Sequence, residues 1–183
     1  MPPARYYHGL AYDAGRGRTV LFGGTPAVGP YFNDTWEYDG SRWARTSPPT
    51  SPSGRKSCKL AYDIARARIV LFGGDVYPTY LGDTWEYDGV TWTQIATATS
   101  PPPRTSHGLA YDAARRRIVL CFGANNLVAF RDTWEYDGSN WTQIMTATGP
   151  PGGADIAYDM ARTRTVFFGN SLNSVGQPVA ETW

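Results

Sequence analysis

The chain has 183 residues, with 17 Lys and Arg against 16 Asp and Glu and a formal net charge of +1. That near-neutral balance gives no electrostatic footprint for nucleic acid or for an anionic membrane, and no apolar run reaches the length of a membrane span. The length suits one domain with a sizeable core, which seven Trp, twelve Tyr and seven Phe can fill, while twenty Gly and fourteen Pro suit strands joined by turns.

The chain opens with a Pro-rich stretch and enters a strand at Tyr7-His8-Gly9-Leu10-Ala11-Tyr12-Asp13. No basic-then-apolar leader precedes it, so no secretory signal is expected. A polar turn with Arg16 and Arg18 leads to Thr19-Val20-Leu21-Phe22-Gly23-Gly24. This short run is apolar on both faces, as in a strand sandwiched between two layers, and the Gly pair permits a sharp change of direction. A loop over 25–33 follows, then the segment Asp34-Thr35-Trp36-Glu37-Tyr38-Asp39-Gly40-Ser41-Arg42-Trp43. In that segment Trp36 and Tyr38 share one side of a strand, Asp39-Gly40 signals a hairpin, and Trp43 begins the return strand.

The same order recurs. The second copy runs from Arg55 through Tyr62-Asp63, Arg66 and Arg68, and Gly73-Gly74 to a loop over 75–82 and the segment Asp83 to Trp92. The third runs from Arg104 through Tyr111-Asp112 and Arg115 and Arg117, reads its Gly pair as Gly123-Ala124, and has its loop at 125–131 before Asp132 to Trp141. The fourth runs through Tyr158-Asp159, Arg162 and Arg164, and Gly169-Asn170 to a long loop over 171–180 and Glu181-Thr182-Trp183. The first Trp of each copy falls at 36, 85, 134 and 183, a constant spacing of 49. A fixed period of this size marks a repeat architecture. No segment has helical periodicity, so the chain is expected to be all-β with four strands per repeat.

An Arg-x-x-His strand, an apolar strand ending in Gly-Gly, and a spaced Tyr and Trp resemble the Kelch repeat of Kelch and galactose-oxidase-like β-propellers. The resemblance covers essentially the whole chain. It implies that each repeat is one blade of four antiparallel strands set around a channel. The blades fall at about 4–50, 51–100, 101–149 and 150–183, the last incomplete. Three complete blades and part of a fourth imply an open arc, as a piece of a longer propeller; the alternatives are a small closed ring or completion by pairing with a second copy, and uncovered terminal blades invite self-association. The Arg and His positions vary: Arg5/His8 and Arg104/His107 match, Arg55 is paired with Cys58, and the fourth repeat has Pro151 and Ala154 there.

In an up-and-down blade alternate loops share a face. The Arg-rich turns share one face with the Asp-Gly turns, and each first strand ends in an Asp that can pair with its own arginines; the alternative is an anion-binding rim. The other face carries the loops that differ between repeats, where binding residues concentrate on a rigid scaffold. Its candidates are Tyr31 and Phe32, Tyr77 and Tyr80, and Phe130 and Arg131, residues suited to a protein segment or a sugar ring; the alternative is that they cap blade edges. The resemblance places the first strand along the channel, so Arg5, His8, Arg55, Arg104 and His107, with Lys56 and Lys59, could rim its mouth and hold an acidic group, or could bond backbone carbonyls between blades.

No catalytic constellation, metal-ligand cluster or cofactor motif is expected. Cys58 and Cys121 fit neither a disulfide framework nor a zinc site. Galactose oxidase relatives bind copper through paired His and Tyr, and here only His8 and His107 exist, so that activity does not carry over. The Asp-Gly-x-x-Trp turn is similar to the Asp box of sialidases but lacks its leading Ser-x-Asp, and its Asp is read as a turn former. The expected function is a non-catalytic scaffold that binds a protein or carbohydrate through the variable loop face. The alternative is a fragment of a larger propeller enzyme whose catalytic residues lie outside this chain.

Overall fold

The computed structural model describes residues 1–145, 154–172 and 178–182. Every described element is a strand. The first sheet has the order β1 (Gly9–Asp13), β2 (Arg18–Phe22), β3 (Thr35–Tyr38), β4 (Trp43–Thr46). The second contains β5 (Lys59–Asp63), β6 (Arg68–Phe72), β9 (Thr84–Tyr87) and β10 (Trp92–Ile95), with a small separate hairpin of β7 (Asp75–Val76) and β8 (Thr79–Tyr80) in its loop. The third is β11 (Gly108–Asp112), β12 (Arg117–Cys121), β13 (Thr133–Tyr136) and β14 (Trp141–Ile144). The fourth is β15 (Ala154–Asp159), β16 (Arg164–Leu172) and β17 (Pro178–Thr182). The expected all-β fold, with three four-stranded blades and an incomplete fourth, is what the chain adopts.

Sequence dictates this locally. Val20, Leu21 and Phe22 in the second strand are buried, as are Ile69 to Phe72 and Ile118 to Cys121, because blades cover both faces of that strand. The hairpin turns are longer than a two-residue Asp-Gly turn. Tyr38 pairs with Trp43, so residues 39–42 form the loop, and the Asp39 carboxylate accepts N–H bonds from Ser41 and Arg42, both at 2.9 Å. Asp88 and Asp137 do the same. The aspartate is indeed a turn former, acting through its side chain.

The blades pack in series. The innermost strands meet as β1 on β5, β5 on β11, and β11 on β15, and no comparable contact returns from β15 to β1 among the described residues, so the arc is open. Each blade turns a trailing face toward the next blade and a leading face toward the previous one. One core layer joins Ala11, Val20 and Phe22 of the first trailing face to Leu60, Ile69, Leu71, Tyr87 and Trp92 of the second leading face. The next layer repeats it with Ala61, Val70 and Phe72 against Leu109, Ile118, Leu120, Tyr136 and Trp141. Each large apolar side chain buried in this way contributes about 1.5–3 kcal/mol.

Two details of the weld depart from the sequence reading. The third Gly pair is not Gly123-Ala124. By strand register Phe122 stands where Gly23 and Gly73 stand, with φ 58° against 70° and 64°, and Gly123 matches Gly24 and Gly74, with φ 96°. A Cβ at Gly23 or Gly73 would lie 2.7 or 2.8 Å from the carbonyl oxygen of Arg55 or Arg104 of the following blade. The fourth repeat has Pro151 in place of that Arg, a position outside the described residues, and there a Phe is accommodated. The fourth loop also differs from expectation: β16 runs to Leu172 and pairs with β17 from Phe168↔Thr182 to Leu172↔Pro178, so strands take up part of 171–180. Asn173 and Gln177 lie outside the described residues.

Candidate functional site

The loops after the second strands and the Pro-rich linkers emerge on one face, as the antiparallel order requires. At the channel entrance on this face a cavity of about 150 Å³ is lined by Tyr7, His8, Ser57, Cys58, Lys59 and Ser106. Lys59 reaches across to Asp155 at 2.9 Å. Tyr7, Ser57 and Ser106 occupy equivalent positions and all take positive φ, 57°, 57° and 55°. Such a conformation costs a non-Gly residue on the order of 1 kcal/mol or more; here it lets the Ser57 N–H reach the Tyr7 carbonyl of the previous blade at 2.7 Å. His8 is exposed, yet desolvation and then the Arg5 charge lower its pKa.

Around this entrance lies an aromatic and basic surface. The Lys56 ammonium sits 5.9 Å from the Tyr7 ring and 5.7 Å from the Tyr31 ring, within cation–π range, and 3.7 Å from the Asp75 carboxylate. Tyr6, Tyr7 and Tyr77 are strongly exposed, and Tyr31 and Tyr80 are half-buried. Tyr31 and Tyr80 are the same position of successive repeats, which Ala129 takes in the third. Arg131 is exposed beyond Phe130. Sequence reasoning missed Tyr6 and Tyr7; the signal available was two adjacent tyrosines immediately before an inner strand.

The arginines assigned to the channel mouth are elsewhere. Arg55 and Arg104 are buried and Arg5 has a buried side chain, so none presents a free guanidinium at the entrance. Arg104 donates to both carboxylate oxygens of Asp132, at 2.5 and 2.9 Å, to the Phe122 carbonyl at 2.8 Å and to the Pro102 carbonyl at 3.0 Å. Arg55 makes the same fork to Asp83 and the Gly73 carbonyl, and Arg5 to Asp34 and the Gly23 carbonyl. Each Asp also accepts the indole N–H of Trp36, Trp85 or Trp134 at 2.7 Å. Phe32 and Phe130 lie 4.0 Å over the guanidinium groups of Arg5 and Arg104, so these two aromatics lid the clamps at the loop base. Burial alone would raise the Asp34, Asp83 and Asp132 pKa values; the hydrogen bonds from the arginines outweigh it, and all three are lowered. His107 is likewise interior. Burial and then the Arg104 charge push its pKa down to about 3, and neither ring nitrogen has a hydrogen-bond partner among the described residues.

On the opposite face the first arginine of each turn is held internally. Arg16 pairs with Asp13 at 2.6 Å and Glu37 at 2.7 Å, and Tyr87 of the next blade donates to the same Glu37 at 3.1 Å. Arg66 bonds Asp63 and Glu86, with Tyr136 donating to Glu86 at 2.9 Å; Arg115 bonds Asp112 and Glu135. The first arginine of each turn is therefore committed within its own blade and Arg18 lies 3.5 Å from Asp39, whereas Arg68 and Arg117 donate only to the Ala67 and Arg116 carbonyls. At the axis on this face Tyr12, Tyr62, Tyr111 and Tyr158 ring a cavity of about 270 Å³ with Ile64 and Met160. The hydroxyls of Tyr62, Tyr111 and Tyr158 accept the N–H groups of Gly15, Ala65 and Ala114 in the preceding turns, at 3.1–3.2 Å.

The described residues hold no cluster of three or more His, Cys, Asp or Glu able to bind a metal. The buried thiols of Cys58 and Cys121 have raised pKa values, first from desolvation, which in Cys58 reaches about 12, so neither is an activated nucleophile. Among the described residues no helix is long and apolar enough to cross a membrane. The family model for the KLHDC2/KLHL20/DRC7 Kelch-repeats domain matches residues 1–170. No curated protein matches the chain.

Proposed function

The chain belongs to the Kelch-repeat family, and on that premise we propose that it is a non-catalytic scaffold whose loop face takes an extended protein segment. Kelch repeats are generally protein-interaction scaffolds. The observation that carries the reading here is that the Lys56 ammonium lies within cation–π range of both the Tyr7 and the Tyr31 ring, with exposed Tyr6 packed near Tyr7 and exposed Tyr77 in the loop that follows. A segment combining a carboxylate with an apolar or aromatic side chain fits that surface. The carboxylate meets Lys56, His8 and Lys59, and the rings cover the apolar part at low entropic cost. Tyr31, Tyr77, Tyr80 and Arg131 act in contact. Phe32, Phe130, Arg5, Arg55, Arg104 and His107 act as positioning residues that hold the loop bases. The blades at about 4–50, 51–100, 101–149 and 150–183 serve as one unit.

Selection of displayed peptides on the chain, with counter-selection on Tyr31→Ser/Lys56→Glu/Tyr77→Ser, tests this. Acidic-aromatic peptides should be enriched, bind the chain, and lose at least about tenfold in affinity on the variant, whose folded state is checked by its melting curve because Lys56 also faces Asp75. Enriched peptides that bind both proteins equally would refute the assignment. Carbohydrate is the second ligand class, supported by the exposed rings of Tyr7 and Tyr77; a glycan array read with the same variant decides it. Self-association through exposed Leu10 and Tyr12 of the first blade is a further contact of the scaffold, read by light scattering as mass above one copy.

A further inference from the structure

The turn between the first two strands of a blade occurs four times, and the four turns converge at the axis on the face opposite the variable loops. Each inner strand ends in Tyr-Asp, and the residue after that Asp is Ala14, Ile64, Ala113 or Met160, so small and large side chains alternate around the axis. These residues and the four tyrosines line the cavity of about 270 Å³. The hydroxyls of Tyr62, Tyr111 and Tyr158 are held at the rim by the N–H groups of Gly15, Ala65 and Ala114, which leaves ring carbon as the wall. Blades of a propeller stand side by side around the axis, so further chain of the same architecture would extend the ring beside the fourth blade and leave this mouth facing solvent.

The third turn departs from the others in charge at one position. Where the first, second and fourth turns have Gly17, Ala67 and Thr163, the third has Arg116, and all four residues take positive φ, 65°, 51°, 53° and 55° in that order. A second cavity, of about 290 Å³, shares Ile64, Tyr111 and Ala113 with the first and adds Ala65 and Arg116. Arg116 is exposed, and its guanidinium makes no ion pair or hydrogen bond with the described residues. The acids that end the second and third inner strands are already occupied, Asp63 by Arg66 and Asp112 by Arg115. An apolar, ring-walled cavity therefore adjoins a cation with no carboxylate of its own.

We propose that this axial mouth is a binding site for a small aromatic carboxylate, whose ring lies among the tyrosines and whose carboxylate meets Arg116. Tyrosine walls take a flat aromatic guest in offset or edge-to-face contact. A guanidinium holds a carboxylate through paired N–H donors. The first cavity lies just below the range of about 300–1,000 Å³ filled by drug-sized ligands, which limits the guest to one or two rings. The site is on the face opposite the variable loops and independent of the function proposed for them.

The test is titration of the isotope-labelled chain with cinnamate, and with cinnamyl alcohol and cinnamylamine as its neutral and cationic counterparts, followed by amide and tyrosine-ring shifts. The expected result is saturable binding of cinnamate with the largest shifts at Tyr62, Tyr111, Ala113 and Arg116. Cinnamyl alcohol should bind about fivefold more weakly, and cinnamylamine more weakly again. Arg116→Ala gives the third turn the residue that the second has as Ala67; it should weaken cinnamate about fivefold and leave the alcohol unchanged. Ala113→Met gives it the side chain that the fourth turn has as Met160; by filling the cavity it should weaken both ligands at least about tenfold. Melting curves check that both variants keep their fold. No saturable binding, shifts confined to other faces, or equal affinity for the three ligands would overturn the proposal. So would an Arg116→Ala variant that binds cinnamate unchanged or loses both ligands equally, or a folded Ala113→Met variant with full binding.

Discussion

Arg104→Met separates a structural guanidinium from a ligand-binding one. The change keeps most of the apolar stem and removes the charge that grips Asp132, the Phe122 carbonyl and the Pro102 carbonyl. The Arg104 side chain is 0% exposed and that of Asp132 15%. Removing one partner from such a pair leaves a desolvated carboxylate without its counter-charge, at a cost of about 3–5 kcal/mol. With a urea m-value of about 2 kcal/mol/M the unfolding midpoint falls by about 1.5–2.5 M. Arg42→Met is the control. Its side chain is 83% exposed and lies 3.6 Å from Asp39, a surface pair worth at most a few tenths of a kcal/mol. If Arg104→Met unfolds within about 0.5 M of the unmodified chain yet abolishes ligand binding at the loop face, the guanidinium is a recognition group and the clamp reading is wrong.

Thr84→Val deprives the buried Trp141 indole of its acceptor and should cost about 1–3 kcal/mol by denaturant melt; Thr133→Val, at the equivalent position of the next blade, should cost a few tenths at most. Equal costs would contradict the assigned bonds. The second prediction concerns pH. The folded pKa of His107, about 3, lies below the unfolded value of 6.5, so the unfolded chain takes up a proton first. Its contribution is therefore fully present above about pH 6.5 and is lost as pH falls toward 3, with a slope approaching 1.4 kcal/mol per unit. Midpoints measured from pH 7 to 5.5, above most of the range where the carboxylates titrate, should fall more steeply for the unmodified chain than for His107→Leu, which keeps only the smaller contribution of His8; parallel curves would refute it.

Much of the fold is legible because it is local and repeated. The period of 49, the alternation of Trp36 and Tyr38, and the turn-forming Asp39 specify strands, hairpins and blades without distant information. The Asp13–Arg16 pairing was equally legible, being three residues apart. What was hidden depends on separation. Arg104 and Asp132 are 28 residues apart, and nothing in either local sequence says that the guanidinium turns inward to a carboxylate at the start of a later strand. The third Gly pair was misread by one position because Phe122 takes a positive φ, which no aromatic residue advertises. The pairing of Glu37 and Glu86 is not legible because a glutamate facing away from the aromatics of its own strand looks like a solvated residue, and its partner Tyr belongs to the next blade.

The most direct test of blade-on-blade packing is exchange of the tryptophan indole protons by NMR, in samples dilute enough to hold single copies. Trp92 and Trp141 are buried and bonded to a threonine of the preceding blade, while Trp43, at the same position of the first blade, is half-exposed. The open arc predicts slow exchange at Trp92 and Trp141, near the limit set by global unfolding, and fast exchange at Trp43. Equal protection at all three would mean that the first leading face is covered within one chain, and the arc would have to be closed.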